Sequence, residues 1–287
     1  MSGIFRCPRC HAALADAGRC EACGFAVQTF EGIPVLLAHP QAVANAIAKA
    51  KTEGRGDWYE GPQVDQLTGP YRHHLRRRRE YLDGVLGKYI RNAKRPLTVL
   101  DLGCGDGIHL DWLRGYADAL YGSDYNLLRL RRAAQRGLAK QLFLADVTNY
   151  PVRDDVFDIV FFNHVIEHIP DDRTALAEAR RILKPGGILI LGTPNEGAFF
   201  WQLAYRLQPK VLKTSDHVHF YTVETLAERC SEVGLRLREV KRLGWGVPHW
   251  SLDAHLRQFK VVDDLFEAVG RFVMPSQATS LYFVLGK

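Results

Sequence analysis

Two kinds of residue cluster in this chain could do chemistry. Cys7-Pro8-Arg9-Cys10 and Cys20-Glu21-Ala22-Cys23 are paired C-x-x-C turns holding four of its six cysteines. Thiolates at that spacing can surround one zinc ion tetrahedrally. The other cluster is a set of acids, glycines and histidines. Asp101 enters the glycine turn Gly103-Cys104-Gly105-Asp106-Gly107, the kind of turn that lets backbone bend tightly or approach a ligand closely. Asp124 and Asp146 follow, and then His164-Val165-Ile166-Glu167-His168. Two imidazoles and a carboxylate can move a proton or ligate a metal. His217 and His219 are a second pair of candidate bases.

Regular elements must position these residues. Residues 97–102 form an apolar run that reads as a buried strand, and a helical pattern begins at Ile108. Strand, glycine turn and helix together make the nucleotide-binding corner of a doubly wound α/β sheet. The dinucleotide fingerprint requires a third glycine where this chain has Ile108. A second strand over 119–121 leads to Asp124, and an acid there can accept both ribose hydroxyls of an adenosine. Strands are expected at 142–144, 157–163, 188–191, 235–240 and 280–285, and a capped helix from Thr222 to Val233.

The signatures at Asp101–Gly107, Asp124, Asp146, Asn163–His168 and Lys184–Gly187 stand in one order over residues 97–195. In that order they resemble class I S-adenosylmethionine (SAM) methyltransferases. The resemblance implies a Rossmann-like sheet of seven strands, the last inserted antiparallel. It implies SAM held by Asp101, Gly103, Cys104, Gly105 and Gly107 of the first motif, by Asp124 with Tyr125, by Asp146 with Val147, and by Asn163. In the family Asp146 meets the adenine amino group. Quinone-precursor O-methyltransferases of this superfamily carry E-x-x-E-H where this chain has His164-x-x-Glu167-His168, a run that can hold a divalent cation. A hard cation prefers oxygen to the imidazole at position 164. His164, Glu167, His168 and His217 are the candidate catalytic residues, and a helix would put His164 and His168 on one face.

The first 38 residues resemble zinc ribbons related to activator subunits of some methyltransferases, and the zinc-binding N-terminus of some ribosomal RNA guanine methyltransferases. A structural zinc at Cys7, Cys10, Cys20 and Cys23 would supply the folding energy of so short a module. Three domains are expected: the ribbon over 1–38, a linker over 39–70, and a methyltransferase domain over 71–287 with insertions near 197–216 and 245–274. The net charge of +6 is local, because residues 71–95 carry nine basic residues against two acids. The ribbon, with Arg6, Arg9 and Arg19 against Asp16, Glu21 and Glu31, offers little to RNA phosphate. Arg76 to Arg79 read as a solvated helix start. The insertion at 197–216 is apolar and aromatic, which suits either ordinary core packing or a cap over an acceptor.

SAM-dependent methyl transfer, at an oxygen of a small-molecule or lipid-like acceptor, is the expectation. An RNA methyltransferase using the basic helix 72–95 and a non-catalytic SAM-binding partner protein are the alternatives. No apolar run is long enough to span a bilayer, and there is no signal-peptide pattern. Cysteine usage points to a reducing cytoplasm, and a lipid-like acceptor would bring the enzyme to a membrane surface. Oligomeric state is open.

Overall fold

A computed structural model describes residues 3–14, 18–51, 61, 68–138, 142–214 and 216–287. Gly54, Gly56 and Pro62 of the expected linker lie outside them.

The strands are β1 (Gln28–Phe30), β2 (Ile33–Leu36), β3 (Thr98–Leu102), β4 (Ala119–Asp124), β5 (Leu142–Ala145), β6 (Phe157–Asn163), β7 (Leu183–Pro194), β8 (Arg236–Leu243) and β9 (Ser280–Gly286). They form one sheet in the order β1-β2-β5-β4-β3-β6-β7-β9-β8. β5, β4, β3, β6 and β7 run parallel, and β9 lies antiparallel between β7 and β8. The chain builds outward from β3 to β4 and β5, then crosses back to β6. The carboxyl end of β3 is therefore the switch point, where doubly wound sheets bind ligands.

A parallel sheet is covered on both faces, so its strands read as continuous apolar runs. β6 shows the alternation that divides them. Val160 and Phe162 enter the core beneath α5 (Asp172–Ile182) and α8 (Val223–Glu232). Ile159 and Phe161 enter the core beneath α1 (Pro40–Lys51), α2 (Arg72–Asn92) and α4 (Leu127–Ala133), which contribute Val43, Leu82, Leu86 and Leu130. The Thr222 side chain accepts from Thr225 N and Thr225 answers Thr222 N, so α8 starts where its capping residues predict.

Two features differ from the sequence reading, the number of strands and the helix after the glycine turn. Among the described residues the sheet has nine strands, because the N-terminal hairpin β1–β2 pairs with β5 (Val35 opposite Leu144) and extends the expected seven. The N-terminal segment packs into the main core, a role open to so short a module: Phe5 meets Phe143 edge-on at 5.0 Å, and Arg6 N donates to Pro151 O. The helix expected from Ile108 is a single turn, α3 (Leu110–Leu113), followed by a 3₁₀ turn over Arg114–Tyr116. Gly115 in that turn is a poor helix former.

The insertions form α6 (Phe199–Leu207), α7 (Pro209–Thr214), α9 (Trp250–Arg257) and α10 (Lys260–Val273). No described helix is long and apolar enough to cross a membrane.

Candidate active site

The glycine turn after β3 is held by the end of β4. Gly103 N and Cys104 N both donate to Ser123 O, at 2.8 and 2.9 Å. Gly105 N donates to Asp124 Oδ2 at 2.8 Å, and Asn126 N to Oδ1 at 2.8 Å. Gly103 has φ +80°, and a Cβ there would lie 2.4 Å from Val165 Cγ2. Only glycine fits that close a crossing of the first and fourth loops. Asp101 and Asp124 are both buried, and Asp101 Oδ2 has no hydrogen-bond partner. Burial first, then the neighbouring Asp124, pushes the Asp101 carboxyl well above the usual carboxylate range. Burial raises Asp124 against the opposing pull of its amide partners. Arg129 supplies positive charge beside Asp124, whereas a cationic ligand would supply the countercharge that Asp101 lacks, which fits the ammonium of SAM. Tyr125 stands beside Asp124 and is 63% exposed. Asp146 caps the short turn Val147–Asn149, accepting from Thr148 N and Oγ1 at 2.9 and 2.7 Å. The Asn163 side chain is held by Tyr282 OH at 2.9 Å and lies 3.4 Å from His109 Nε2.

β6 delivers His164 to the same edge. His164 takes φ +54°, and residues Ile166–His168 form a 3₁₀ turn. His164 and His168 therefore do not share a helical face, as the spacing suggested; they are arranged about Glu167. His164 Nδ1 lies 3.4 Å from the buried Glu167 Oε1, and its Nε2 lies 3.2 Å from Arg78 Nη1. A guanidinium can only donate, so the Arg78 contact makes Nε2 the unprotonated nitrogen and leaves the ring proton on Nδ1, facing Glu167. Val218 N and His219 N donate to Glu167 O, which brings the second histidine segment alongside. The rings of His168 and His217 meet edge-on at 4.6 Å. His219 is drawn off to the carbonyls of Ile169 and Pro170.

The buried Glu196 was not singled out in the sequence. Its two carboxylate oxygens each lie 2.7 Å from His217 Nδ1, and Tyr205 OH of α6 donates to the same group. Burial alone would lower the His217 pKa, but the hydrogen bond and charge of Glu196 more than offset it and raise it. Burial likewise opposes ionisation of Glu167, and the contact with His164 more than offsets it, so its pKa is lowered. Desolvation dominates at His168 and lowers its pKa. Glu167, His168 and His217 each offer a ligand atom, all within 4.8 Å of one another.

A cavity of about 500 Å³ opens beside His164. Tyr71 and His74 line it from the start of α2, Pro194 from the end of β7, Trp201 from α6 and Trp250 from α9. The arginine run of α2 does not read as a solvated start. Arg77 pairs with Asp263, Asp264 and Glu267 of α10, Arg78 reaches His164, and Arg79 lies 4.1 Å over the Trp112 ring. Arg76 is exposed.

The four N-terminal thiols form a separate cluster. Cys7 and Cys23 Sγ lie 3.6 Å apart, and Cys10 and Cys20 Sγ 3.4 Å apart. Zn–S bonds of about 2.3 Å in a tetrahedron put sulfurs about 3.8 Å apart, so the quartet is close to zinc-binding geometry. His11 N donates to Cys7 O and Gly24 N to Cys20 O, each closing a turn at positive φ (62° and 71°).

A family model described as "Methyltransferase domain" matches residues 71–240, more than half of the chain. The chain belongs to the class I SAM-dependent methyltransferases. The methyltransferase is 30% identical over 162 residues to the ubiquinone biosynthesis O-methyltransferase of Thiobacillus denitrificans, covering 52% of this chain and 70% of that one. It is 30% identical over 128 residues to the malonyl-[acyl-carrier protein] O-methyltransferase of Pseudescherichia vulneris, covering 45% and 50%. The chain spans from about a third to 70% of the length of the curated relatives it matches first. Its fold is shared with phosphoethanolamine N-methyltransferase 2 of Haemonchus contortus, solved with SAM (TM-score 0.51, 16% identity, 72% of this chain and 52% of that one).

Proposed function

We propose that this methyltransferase transfers the methyl group to an oxygen of a small-molecule or lipid-like acceptor. One observation carries the reading: His164, at the rim of the cavity, has its proton-bearing Nδ1 toward Glu167 and its basic Nε2 toward Arg78. SAM, when bound, supplies a methyl group on a positively charged sulfonium. Asp101, the turn of Gly103, Cys104, Gly105 and Gly107, Asp124, Tyr125, Asp146, Val147 and Asn163 would hold it. His164 Nε2 would take the proton of the acceptor hydroxyl once that hydroxyl displaces Arg78 from it, with Glu167 orienting the ring. The insertion helices would keep water from the reacting atoms. Both relatives described above are O-methyltransferases by name.

The internal partners of Arg77, Arg78 and Arg79 weigh against the RNA reading, which needs such groups for phosphate. Label from radiolabelled SAM, offered a metabolite and lipid extract and total RNA, is expected in the former; label confined to RNA would overturn the proposal.

We also assign Cys7, Cys10, Cys20 and Cys23 to a structural zinc, with elemental analysis expected to find one per chain. The reduced quartet suits a reducing compartment. A second reading of the chemistry rests on Glu167, His168 and His217, whose ligand atoms could hold a divalent cation. Transfer that stops on chelation and returns with magnesium or zinc, while the thiol-bound zinc stays in place, would favour it.

A further inference from the structure

Helix α10 faces the opposite way from an ordinary surface helix, which buries its apolar stripe and exposes its charge. Val261, Leu265, Val269 and Phe272 recur at i, i+4, i+8 and i+11, which is one helix face. All four are exposed, Val261 by 79% and Phe272 by 82%. Phe259 at the N-cap and Val273 in the last turn are exposed as well.

The face toward the body carries acids and a glycine. Asp263, fully buried, bonds Arg77 at 2.9 Å and Arg257 at 3.0 Å. Glu267 accepts from Gly244 N at 3.1 Å. Asp264, at the margin of the two faces, pairs with Arg77 at 2.7 Å and with Lys260. A Cβ at Gly270 would collide with the Trp245 ring, so helix and body touch there. Rolling α10 to bury its apolar face would strip Asp263 from two guanidiniums, a costly loss for a buried charge. The exposed stripe is therefore held outward by the ion pairs beneath it.

Large exposed apolar patches mark interaction sites. Two features select the occupant. A 14-residue helix is about 21 Å long, and one face of it offers on the order of a few hundred Å², short of the roughly 800 Å² per partner of a stable protein interface. Positive charge stands at both ends of the stripe. Arg271 is exposed in the last turn. At the other end Arg72 Nη2 donates to Gln258 O at 2.6 Å, a neutral partner that leaves the guanidinium its charge. A flat apolar face between cations suits a helix lying in the boundary between acyl chains and anionic head groups.

We infer that α10 docks the protein on an anionic lipid surface, with Val261, Leu265, Val269 and Phe272 in the acyl boundary and Arg72 and Arg271 among the head groups. The docked helix is tied to the walls of the cavity. It is ion-paired to α2 through Arg77, and its Asp263 bonds Arg257 of α9, the helix that carries Trp250. For its use, though not for its binding, the docking rests on the proposed lipid-like acceptor.

Vesicle sedimentation tests this with the full chain. Phosphatidylcholine vesicles containing about one-third phosphatidylglycerol are expected to bind it at least about 10-fold more tightly than phosphatidylcholine alone. Leu265→Ser with Phe272→Ser should weaken binding to the anionic vesicles by about 10-fold or more. Arg271→Gln should weaken it about fivefold. Thermal melts that coincide with wild type show that the variants are folded, as expected for exposed positions. No binding to either vesicle, equal binding to both, or binding that survives the double variant would overturn the inference. So would a lipid-free dimer in sedimentation equilibrium that the double variant dissolves, because the face would then belong to a second copy. Vesicle binding needs neither SAM nor an acceptor. Absence of label from the metabolite and lipid extract would therefore count against the proposed function and leave the docking standing.

Discussion

The proposed cofactor corner and the proposed acceptor cavity share one edge of one sheet and are built in opposite ways. The corner is made of strand ends. Asp101, Gly105 and Asp124 lie within one β-loop-α-β stretch, and backbone amides hold the geometry. The cavity is made of side chains from α2, β7, α6 and α9, tied by long-range contacts such as Arg77 to Asp263. A corner of the first kind is fixed by strand pairing and tolerates change elsewhere. A cavity of the second kind depends on inserted helices, where substitution would change what the cavity admits without touching the corner.

The largest expected effect would show how far the cofactor half extends. Cys7 and Cys20 are buried in the main core, and Asn149, three residues past Asp146, donates to Pro8 O. Replacing Cys7 and Cys20 with Ser should remove zinc, cost about 4 kcal/mol or more of stability, and weaken S-adenosylhomocysteine binding. Denaturant titration and calorimetry check this; a zinc-free variant with wild-type stability and affinity would show that the ribbon is only an appendage. Asp124→Ala should come next, with the loss of about 1.5–3 kcal/mol of cofactor binding, read as affinity about 10- to 150-fold weaker. Unchanged affinity in a folded protein would remove the corner from the cofactor site.

Glu196→Gln tests the acceptor half by pH. The His217 pKa is raised in the folded chain, so its contribution to stability is full below the unfolded histidine pKa, about 6.5, and fades as pH rises through the folded value. The stability gap between wild type and Glu196→Gln should therefore narrow as pH rises above about 6.5, by thermal melts across the range. A gap that widens over that interval would contradict the pairing. The smallest effect belongs to Arg76→Ala, an exposed position, with stability within about 0.5 kcal/mol and transfer unchanged. A large loss of transfer there, with steep salt dependence, would return the case to RNA.

The difference between the halves also explains what the sequence disclosed. Asp101, the glycine turn and Asp124 were legible because each sits at a strand end, and strand ends show in local pattern. The thiol quartet was legible from spacing. Glu196 was not, because an acid between Asn195 and Gly197 looks like loop, and only folding brings it to His217, 21 residues on. Arg77 looked solvated because its partners lie 186 to 190 residues away. A clue was available in Asp263, Asp264 and Glu267, acids near one face of α10 that needed a basic partner. His74 and Trp250 carried no signal, since a lone histidine and a lone tryptophan are ordinary core residues.

His164→Ala tests the central claim most directly, with S-adenosylhomocysteine affinity and methyl transfer to the small-molecule fraction measured on the same preparation. The account predicts affinity within about twofold of wild type and transfer lowered by roughly 10²- to 10⁴-fold, the scale of a lost general base. Transfer at the wild-type rate, with affinity intact, would contradict it.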